Sequence, residues 1–127
     1  MLILKEESYK VIGACMEVHR QLGPGFLESV YQEALAREFI LQDIPFEEQP
    51  EVRLYYKNEL MTKKFRPDFL CYGQIELEIK ASVSLTPIDD AQVINVLKVA
   101  RLPLGILANF GEQSFVYKRF ANSKNEG

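Results

Sequence analysis

The sequence predicts a small α/β protein, and three observations support this class. The chain has 127 residues, the length of one ordinary domain. Its residues are 47% hydrophobic and 26% charged, which is typical of a globular protein with an apolar core. Helical and strand-like patterns follow one another in the order α-α-β-β-β-α-β-β. We therefore expect residues 1–127 to form a single domain that needs neither disulfides nor a structural metal.

Two helices are predicted at the start of the chain. The first extends from about Glu6 to Leu22, and Gly23-Pro24-Gly25 ends it. The second extends from about Gly25 to Gln42, before Asp43-Ile44-Pro45. Four residues are expected to form the apolar side of this second helix: Leu27, Val30, Ala34 and Leu35.

Three strands are predicted next, because β-branched and aromatic residues alternate with polar ones over this part of the chain. The expected strands are about Phe46 to Lys57, Leu60 to Cys71 and Gln74 to Ala81. Asn58 and Tyr72-Gly73 mark the turns between them. A hairpin-rich sheet should therefore follow the two helices.

A third helix begins at Thr86-Pro87-Ile88-Asp89, which combines an N-cap, a proline at the first helical position and an acid in the first turn. It should extend to Arg101. Apolar residues nearly encircle it, so we expect cover on more than one side, with packing under the sheet as the first explanation and a homodimer contact as the second. Two strands follow at about Leu104 to Phe110 and Ser114 to Phe120, and the tail Ala121 to Gly127 is expected to be frayed and solvated.

Composition excludes several classes of protein. Cys15 and Cys71 lie in unrelated patterns and His19 is the single histidine, so neither a zinc site nor a disulfide framework is indicated. No signal peptide or membrane span is evident, and we expect a cytoplasmic protein. The net charge of −3 counts against a protein that coats DNA. A local basic rim is still available from Lys63, Lys64, Arg66, Lys80, Lys98 and Arg101.

The third predicted strand is the most informative segment. Its period of two places Glu76, Glu78 and Lys80 on one face, opposite three apolar residues. Glu78 and Lys80 would lie roughly 6.5 Å apart along the strand. We expect Glu76 to be a solvated acid, although it could also be a further ligand.

Asp68 lies in the preceding strand, directly after Pro67. If Tyr72-Gly73-Gln74 forms a three-residue turn, Asp68 lies opposite Glu78 on the same face. A two-residue turn without a bulge would pair Asp68 with the apolar face instead. Two carboxylates about 5 Å apart repel by about 3 kcal/mol at an effective dielectric near 20, so a cation or a shared proton must neutralise them. Oxygen ligands of this kind suit Mg²⁺ or Mn²⁺.

The spacing of these residues resembles a known signature. Pro67-Asp68 followed by Glu78-Ile79-Lys80 is similar to the motif of the PD-(D/E)xK nuclease superfamily. Gly25-Phe26-Leu27-Glu28-Ser29-Val30-Tyr31 resembles the GxxExxY motif of a family of small prokaryotic proteins in that superfamily. The resemblance spans roughly Tyr9 to Phe120. It implies a restriction-endonuclease-like α-β-β-β-α-β core, a mixed sheet flanked by helices, with an extra helix at the N-terminus.

The resemblance also implies site residues. Asp68 and Glu78 would ligate Mg²⁺ or Mn²⁺, and Glu28 would complete or tune the metal shell. Lys80 would assist the attacking water, and Gln92 would orient it. Glu28 shares a helical stripe with apolar neighbours, so we expect it to face inward.

Three hypotheses about function remain open. The leading one is a metal-dependent phosphodiesterase that cuts DNA or RNA. The second is a catalytically inactive nuclease-fold module for binding or homo-oligomeric assembly, which the acidic charge favours. The third is hydrolysis of a small phosphorylated nucleotide, which would need no extended basic surface.

Overall fold

The computed structural model describes residues 2–122, which form a five-stranded mixed sheet with helices on both sides and a separate two-stranded sheet. The elements are α1 (Lys5–Leu22), α2 (Glu28–Leu41), β1 (Phe46–Glu48), β2 (Val52–Tyr56), β3 (Glu59–Phe65), β4 (Phe69–Cys71), β5 (Ile75–Lys80), α3 (Pro87–Ala100), β6 (Leu104–Asn109) and β7 (Val116–Ala121). The main sheet has the order β1-β4-β5-β6-β7, and β2 pairs with β3. Only β5 and β6 pair in parallel. The expected mixed α/β class is confirmed.

Helix α1 agrees with its prediction to within one residue. It ends because Gly23 adopts a φ of 69°, and the Gly23 N–H donates to the His19 carbonyl at 2.7 Å. His19 itself is buried against Phe110 and Phe115, and its Nε2 lies 2.9 Å from the Glu112 carbonyl oxygen. It therefore packs into the core.

Helix α2 begins at Glu28, three residues later than predicted. Gly25 has a φ of 108° and Leu27 is extended, so neither residue is helical. The predicted apolar side is also partly wrong, because Leu27 and Val30 are exposed. The helix instead buries residues spaced four apart, namely Tyr31, Leu35 and Phe39.

The first two predicted strands are each divided in two. The later part of the first predicted strand and the earlier part of the second form the β2–β3 hairpin. The remaining parts, β1 and β4, pair within the main sheet. The breaks coincide with Pro50 and Pro67, which have no N–H to donate to a ladder. Gln49 adds a left-handed φ of 49° beside the first break. The hairpin therefore leaves the main sheet and packs against α3 instead.

Helix α3 has the predicted start and end, and it packs on β6 where Gly105 allows close approach. A Cβ at Gly105 would lie 2.7 Å from Val93 Cγ1, a distance that no real side chain keeps. The hairpin covers α3 on a second side through β2, although Ile88 and Ile94 remain exposed. A homodimer contact stays a prediction.

The last strand extends further than predicted. Ala121 belongs to β7, and Asn122 is buried, with its amide donating to the carbonyls of Leu97 and Leu102 at 3.0 Å each. These two residues are therefore not frayed. The rest of the predicted tail, residues 123–127, lies outside the described residues. Within those described, no helix is long and apolar enough to cross a membrane.

Both cysteines are fully buried. Burial raises the pKa of the Cys15 thiol and raises that of Cys71 to about 12. Neither thiol can therefore ionise near neutral pH, and both act as small apolar residues of the core.

Candidate active site

The turn between β4 and β5 decides which face Asp68 occupies. Tyr72 and Gly73 both have positive φ, and the Gln74 N–H donates to the Cys71 carbonyl at 3.0 Å. Cys71 nevertheless pairs with Ile75, so Gln74 is an extra residue that shifts the register by one. The ladder runs from this pair towards Phe69 and Leu77. The turn therefore has three residues, as the site hypothesis requires, and this prediction is confirmed.

Asp68 lies one position beyond the last ladder pair, opposite Glu78. Its Oδ2 accepts a hydrogen bond from the Ile79 N–H at 2.8 Å, which ties the carboxylate to β5. Glu78 and Asp68 lie close enough for each to influence the ionisation of the other. The two predicted metal ligands therefore lie on the same face.

Glu76 departs from the sequence expectation. It is fully buried, with 0% of its surface exposed, so the prediction of a solvated acid is wrong. Both its carboxylate oxygens, and Oε1 of Glu78, have no hydrogen-bond partner among the described residues. The reason is tertiary, because Phe65 of β3 and residues of α3 face the same cavity as the polar side chains of β5.

Asp68, Glu76 and Glu78 change one another's pKa values. Burial, followed by the neighbouring Glu76 and Asp68, raises the pKa of Glu78 to about 10. Burial also raises the pKa of Glu76 to about 7. It raises the pKa of Asp68 as well, although the Ile79 N–H and Glu78 favour the charged form of Asp68. Glu78 is thus the acid on which the cluster holds a proton. The cluster needs either such a proton or a cation.

Lys80 ends β5 at the same cleft, where it lies beside an acid that the sequence analysis did not assign to the site. Its Nζ is 3.8 Å from Oδ1 of Asp89. The Asp89 carboxylate also accepts from the Thr86 N–H at 2.9 Å, within the capping box of α3. The Thr-x-x-Asp spacing identified this cap, but the spacing does not show which strand the Asp89 side chain would face. Asp89 therefore joins the start of α3 to Lys80.

The position of Lys80 is fixed from the neighbouring strand. The Phe110 N–H donates to the Lys80 carbonyl at 2.8 Å. Asn109 Oδ1 accepts from the Ser82 N–H at 3.0 Å, and its Nδ2 donates to the Ser82 carbonyl at 2.9 Å. Gly111 is required beside this contact, since a Cβ there would lie 2.4 Å from the Ser82 carbonyl oxygen.

Glu28 lies at the edge of this cleft and not in the core. It is exposed, so the expected inward orientation is wrong, although Tyr31 and Leu35 on the same stripe are buried. Partial loss of water still raises its pKa, with Asp68 and Asp89 acting in the same direction and Lys80 opposing them. Glu28 is therefore an electrostatic neighbour of the site residues on β4, β5 and α3.

The glycine and the tyrosine of the predicted GxxExxY motif, Gly25 and Tyr31, have a structural role. Gly25 adopts a φ of 108°, which suits glycine. The Tyr31 hydroxyl donates to the Gly23 carbonyl at 2.6 Å and accepts from the Phe26 N–H at 3.3 Å. The ring stacks on Phe110 with centroids 4.8 Å apart. These contacts hold the α1–α2 loop and thereby set where Glu28 begins its helix.

A cavity of about 400 Å³ lies over the polar face of β5. Its lining combines acids, amides and apolar side chains from β3, β5, α3 and β6: Phe65, Glu76, Glu78, Lys80, Asp89, Gln92, Asn95, Val93, Val96 and Leu107. Gln92 thus faces the cleft, where the sequence predicted it. Asp68 and Glu28 lie beside this space and do not line it. Phe65 and Asn95 were not anticipated.

The predicted basic rim is mostly absent from the cavity. Of the six cations proposed, only Lys80 lines it among the described residues. Lys64 and Arg66 lie 3.7 and 3.3 Å from Glu51 instead. Arg101 donates to Asn58 and covers the ring of Tyr55, which fastens the hairpin to the end of α3.

The residues present fit a hard divalent cation. In the described chain, no three His, Cys, Asp or Glu side chains converge closely enough to enclose a metal ion. Carboxylate oxygens of Glu76 and Glu78 nevertheless lack donors at the cavity, and Asp68 lies beside them. Mg²⁺ commonly takes one or two carboxylates and keeps several waters, so a closed protein cage is not required.

Comparisons with known proteins identify the family. Residues 5–120 match the PD-(D/E)XK nuclease superfamily, and no curated protein matches the chain. A solved structure described as "Crystal structure of SSO0001" is similar with 20% sequence identity and a TM-score of 0.45. The similarity covers 87% of this chain and 66% of that one, slightly less than two thirds of its length. The family match covers nearly the whole sequence, every candidate site residue included, so the chain belongs to the PD-(D/E)XK nuclease superfamily.

Proposed function

We propose that this protein is a divalent-metal-dependent nuclease of the GxxExxY group that hydrolyses phosphodiester bonds in DNA or RNA. One observation carries the proposal. Asp68, Glu78 and Lys80 come together at one cleft, and the buried acids there have carboxylate oxygens without any donor. Superfamily membership supports a nuclease over a purely structural module.

The acids provide the metal ligands in this proposal. Asp68 and Glu78 would hold Mg²⁺ or Mn²⁺, and Glu28 would complete or tune the shell from the edge of the cleft. When bound, such an ion polarises a phosphodiester and lowers the pKa of a water ligand. Replacing the proton on Glu78 by a cation also relieves the mutual repulsion of the carboxylates.

Lys80 and Gln92 act on the reacting groups. The Lys80 ammonium, held beside Asp89, positions the attacking water and stabilises the negative charge that develops on the phosphate. The Gln92 amide, which faces the cavity, orients the same water by hydrogen bonding. The water oxygen attacks phosphorus and gives up a proton to solvent, the phosphorus–oxygen bond to the leaving group breaks, and the leaving oxygen takes up a proton from solvent.

Replacing Lys80 tests this assignment directly. With Mg²⁺ or Mn²⁺, the purified protein should cleave plasmid, single-stranded or branched substrates. Lys80→Ala should lower the cleavage rate by about 10²–10⁴-fold, the usual contribution of a positioned acid–base group. Labelled substrates resolved on denaturing gels provide the measurement.

The matched control is Lys10→Ala, which removes an exposed lysine of α1, away from the cleft. It should retain the wild-type rate. Equal activity, or equal inactivity, of wild-type protein and Lys80→Ala across all substrates and both metals would contradict the proposed function.

A further inference from the structure

Glu76 is a buried acid that the proposed chemistry does not use. It lies in the middle of the main sheet, paired with Leu70 of β4 and with Gly105 of β6. Its side chain has no exposed surface, yet the residue lines the cavity together with Glu78. A hydrogen-bond donor from outside the protein can therefore reach Glu76 only through that cavity.

The protein provides almost no hydrogen-bond donors for Glu76. Neither carboxylate oxygen has a partner among residues 2–122. A carboxylate can accept about four hydrogen bonds, and a proton on Glu78 can supply at most one of them. Burying the remaining acceptor positions without a donor is costly. A ligand with two neighbouring N–H groups would satisfy both oxygens together.

The apolar part of the cavity suits a flat aromatic ring. It consists of Phe65, Val93, Val96 and Leu107. The Phe65 ring is half-buried and contacts no other aromatic ring in the described part of the chain, so it is available for stacking. Proteins bind unpaired nucleobases in this way, between aromatic and apolar side chains. The cavity volume of about 400 Å³ is typical of small-molecule sites.

An amide of α3 adds a donor to this set of groups. Gln92 and Asn95 both line the cavity. Gln92 is assigned to the attacking water in the proposed function, whereas Asn95 has no such role. The side-chain amide of Asn95 has N–H donors, which the carboxylate of Glu76 lacks. The cavity therefore offers two neighbouring acceptor oxygens and a separate donor.

Guanine is the base whose hydrogen-bonding edge matches these groups. Its Watson–Crick edge carries two neighbouring donors, N1–H and the 2-amino group, with the acceptor O6 beside them. Adenine and cytosine have one amino group next to an acceptor nitrogen, which would repel a carboxylate oxygen. Uracil and thymine have a single N–H between two carbonyls. Each of the other bases would thus leave one Glu76 oxygen without a donor.

We propose that the cavity holds the base of one unpaired guanine nucleotide, with Glu76 binding N1–H and the 2-amino group and Asn95 binding O6. This inference rests on the proposed function, because Glu78 and Lys80 would hold the adjoining phosphate. Glu76 and Glu78 lie roughly 6.5 Å apart along β5, a separation that one nucleotide bridges between its phosphate and its base.

The proposal names the substrate class as a strand with an unpaired guanine, in DNA or RNA. In a duplex the Watson–Crick edge of guanine is occupied by cytosine and cannot reach Glu76. Stacking of the base on Phe65 supplies affinity at a cavity where Lys80 is the one cation among the described residues. Recognition therefore depends on the base more than on the phosphates.

Single-stranded oligonucleotides test the pocket in wild-type protein. A DNA series of oligothymidine and an RNA series of oligouridine each carry one central guanine, hypoxanthine, adenine or cytosine. With Mg²⁺ or Mn²⁺, cleavage next to guanine should exceed cleavage next to adenine or cytosine by about tenfold to a hundredfold. Hypoxanthine, which lacks the 2-amino group, should lose most of that preference. A preference in either series supports the pocket and identifies the strand that it accepts.

Glu76→Gln links the preference to this side chain, because the amide keeps the shape and replaces one acceptor by a donor. The variant should cut next to guanine and next to hypoxanthine at equal rates. Glu59→Gln, which changes an exposed acid of β3, should keep the wild-type ratio. The ratio compares two substrates in one protein preparation, so a partial loss of folded protein does not alter it.

Binding without cleavage separates this inference from the proposed function. With Ca²⁺ in place of Mg²⁺, fluorescence anisotropy measures the affinity for the same oligonucleotides. Equal cleavage and equal affinity for all bases would overturn the guanine pocket and leave the nuclease intact. Guanine-dependent binding without cleavage under any condition would support the pocket and contradict the nuclease. The absence of both would overturn both proposals.

Discussion

At the scale of single residues, Glu78 determines the ionisation of the cleft. It lies between Asp68 and Glu76, and burial together with these two acids raises its pKa to about 10. An ordinary glutamate ionises near 4.5. The metal-free protein therefore keeps a proton on Glu78 at neutral pH, and binding a cation there must release it.

This raised pKa predicts how stability depends on pH without metal. Between about 4.5 and 10 the folded protein binds more protons at Glu78 than the unfolded chain, so the free energy of unfolding falls as pH rises. Glu76 contributes in the same direction only up to about pH 7. Urea denaturation in EDTA at pH 7, 8 and 9 should show declining stability for wild-type protein.

Glu78→Gln should remove most of that decline, because the amide does not titrate. Glu59→Gln, which changes an exposed acid, should retain it. A wild-type slope that survives in Glu78→Gln would mean that other groups carry the pH dependence.

At the scale of secondary-structure elements, the start of α3 couples helix stability to the site. Thr86 Oγ1 accepts from the Asp89 N–H at 3.4 Å, and Asp89 Oδ2 accepts from the Thr86 N–H at 2.9 Å. The same Asp89 carboxylate lies 3.8 Å from Lys80 Nζ. A capping box usually serves only its own helix, whereas here its acid also faces a strand.

Thr86→Ala should therefore have two effects. Loss of the cap should lower the free energy of unfolding by about 1 kcal/mol, as for other threonine caps. Loss of the hydrogen bond from the Thr86 hydroxyl to Asp89 Oδ2, at 3.2 Å, should also loosen Asp89 and lower the cleavage rate below that of Thr86→Ser, which keeps the hydroxyl. Urea denaturation and the nuclease assay measure the two effects, and wild-type stability in Thr86→Ala would disprove the contribution of the cap.

At the scale of the whole molecule, the charge distribution differs from that of a conventional nucleic-acid-binding surface, which is basic. The chain carries a net charge of −3, and Lys80 is the one cation that lines the cavity among the described residues. Lys64 and Arg66 are engaged by Glu51. Substrate binding should therefore release few counterions.

This charge distribution predicts a weak dependence of binding on salt. A protein with 6–10 phosphate contacts loses about 10³–10⁵-fold in affinity between 50 and 200 mM salt. With Ca²⁺ in place of Mg²⁺, this protein should lose less than about tenfold over the same range, because it neutralises few phosphates with its own side chains. Fluorescence anisotropy with a labelled oligonucleotide measures the slope, and a steep slope would reveal a basic surface elsewhere.

The local patterns of the sequence were sufficient for α1, α3 and the third strand, whereas α2 begins three residues later than predicted. Thr86-Pro87 specified the start of α3, and the alternation around Glu78 specified the polar face of β5. These features depend on neighbours within a few residues, which the sequence displays directly. The division of the hairpin strands was missed, although Pro50 and Pro67 were its local signals.

The sequence by itself determined the α/β class, the shared face of Glu78 and Lys80, and the resemblance to a nuclease superfamily, whereas the structure decided that Asp68 lies on that face too. Only the tertiary structure decided that Glu76 is buried, that Glu28 stays at the exposed edge and that Asp89 meets Lys80. Periodicity assigns a side chain to a face, but burial depends on what covers that face. Here α3 and β3, distant in the chain from much of the cleft, provide the cover.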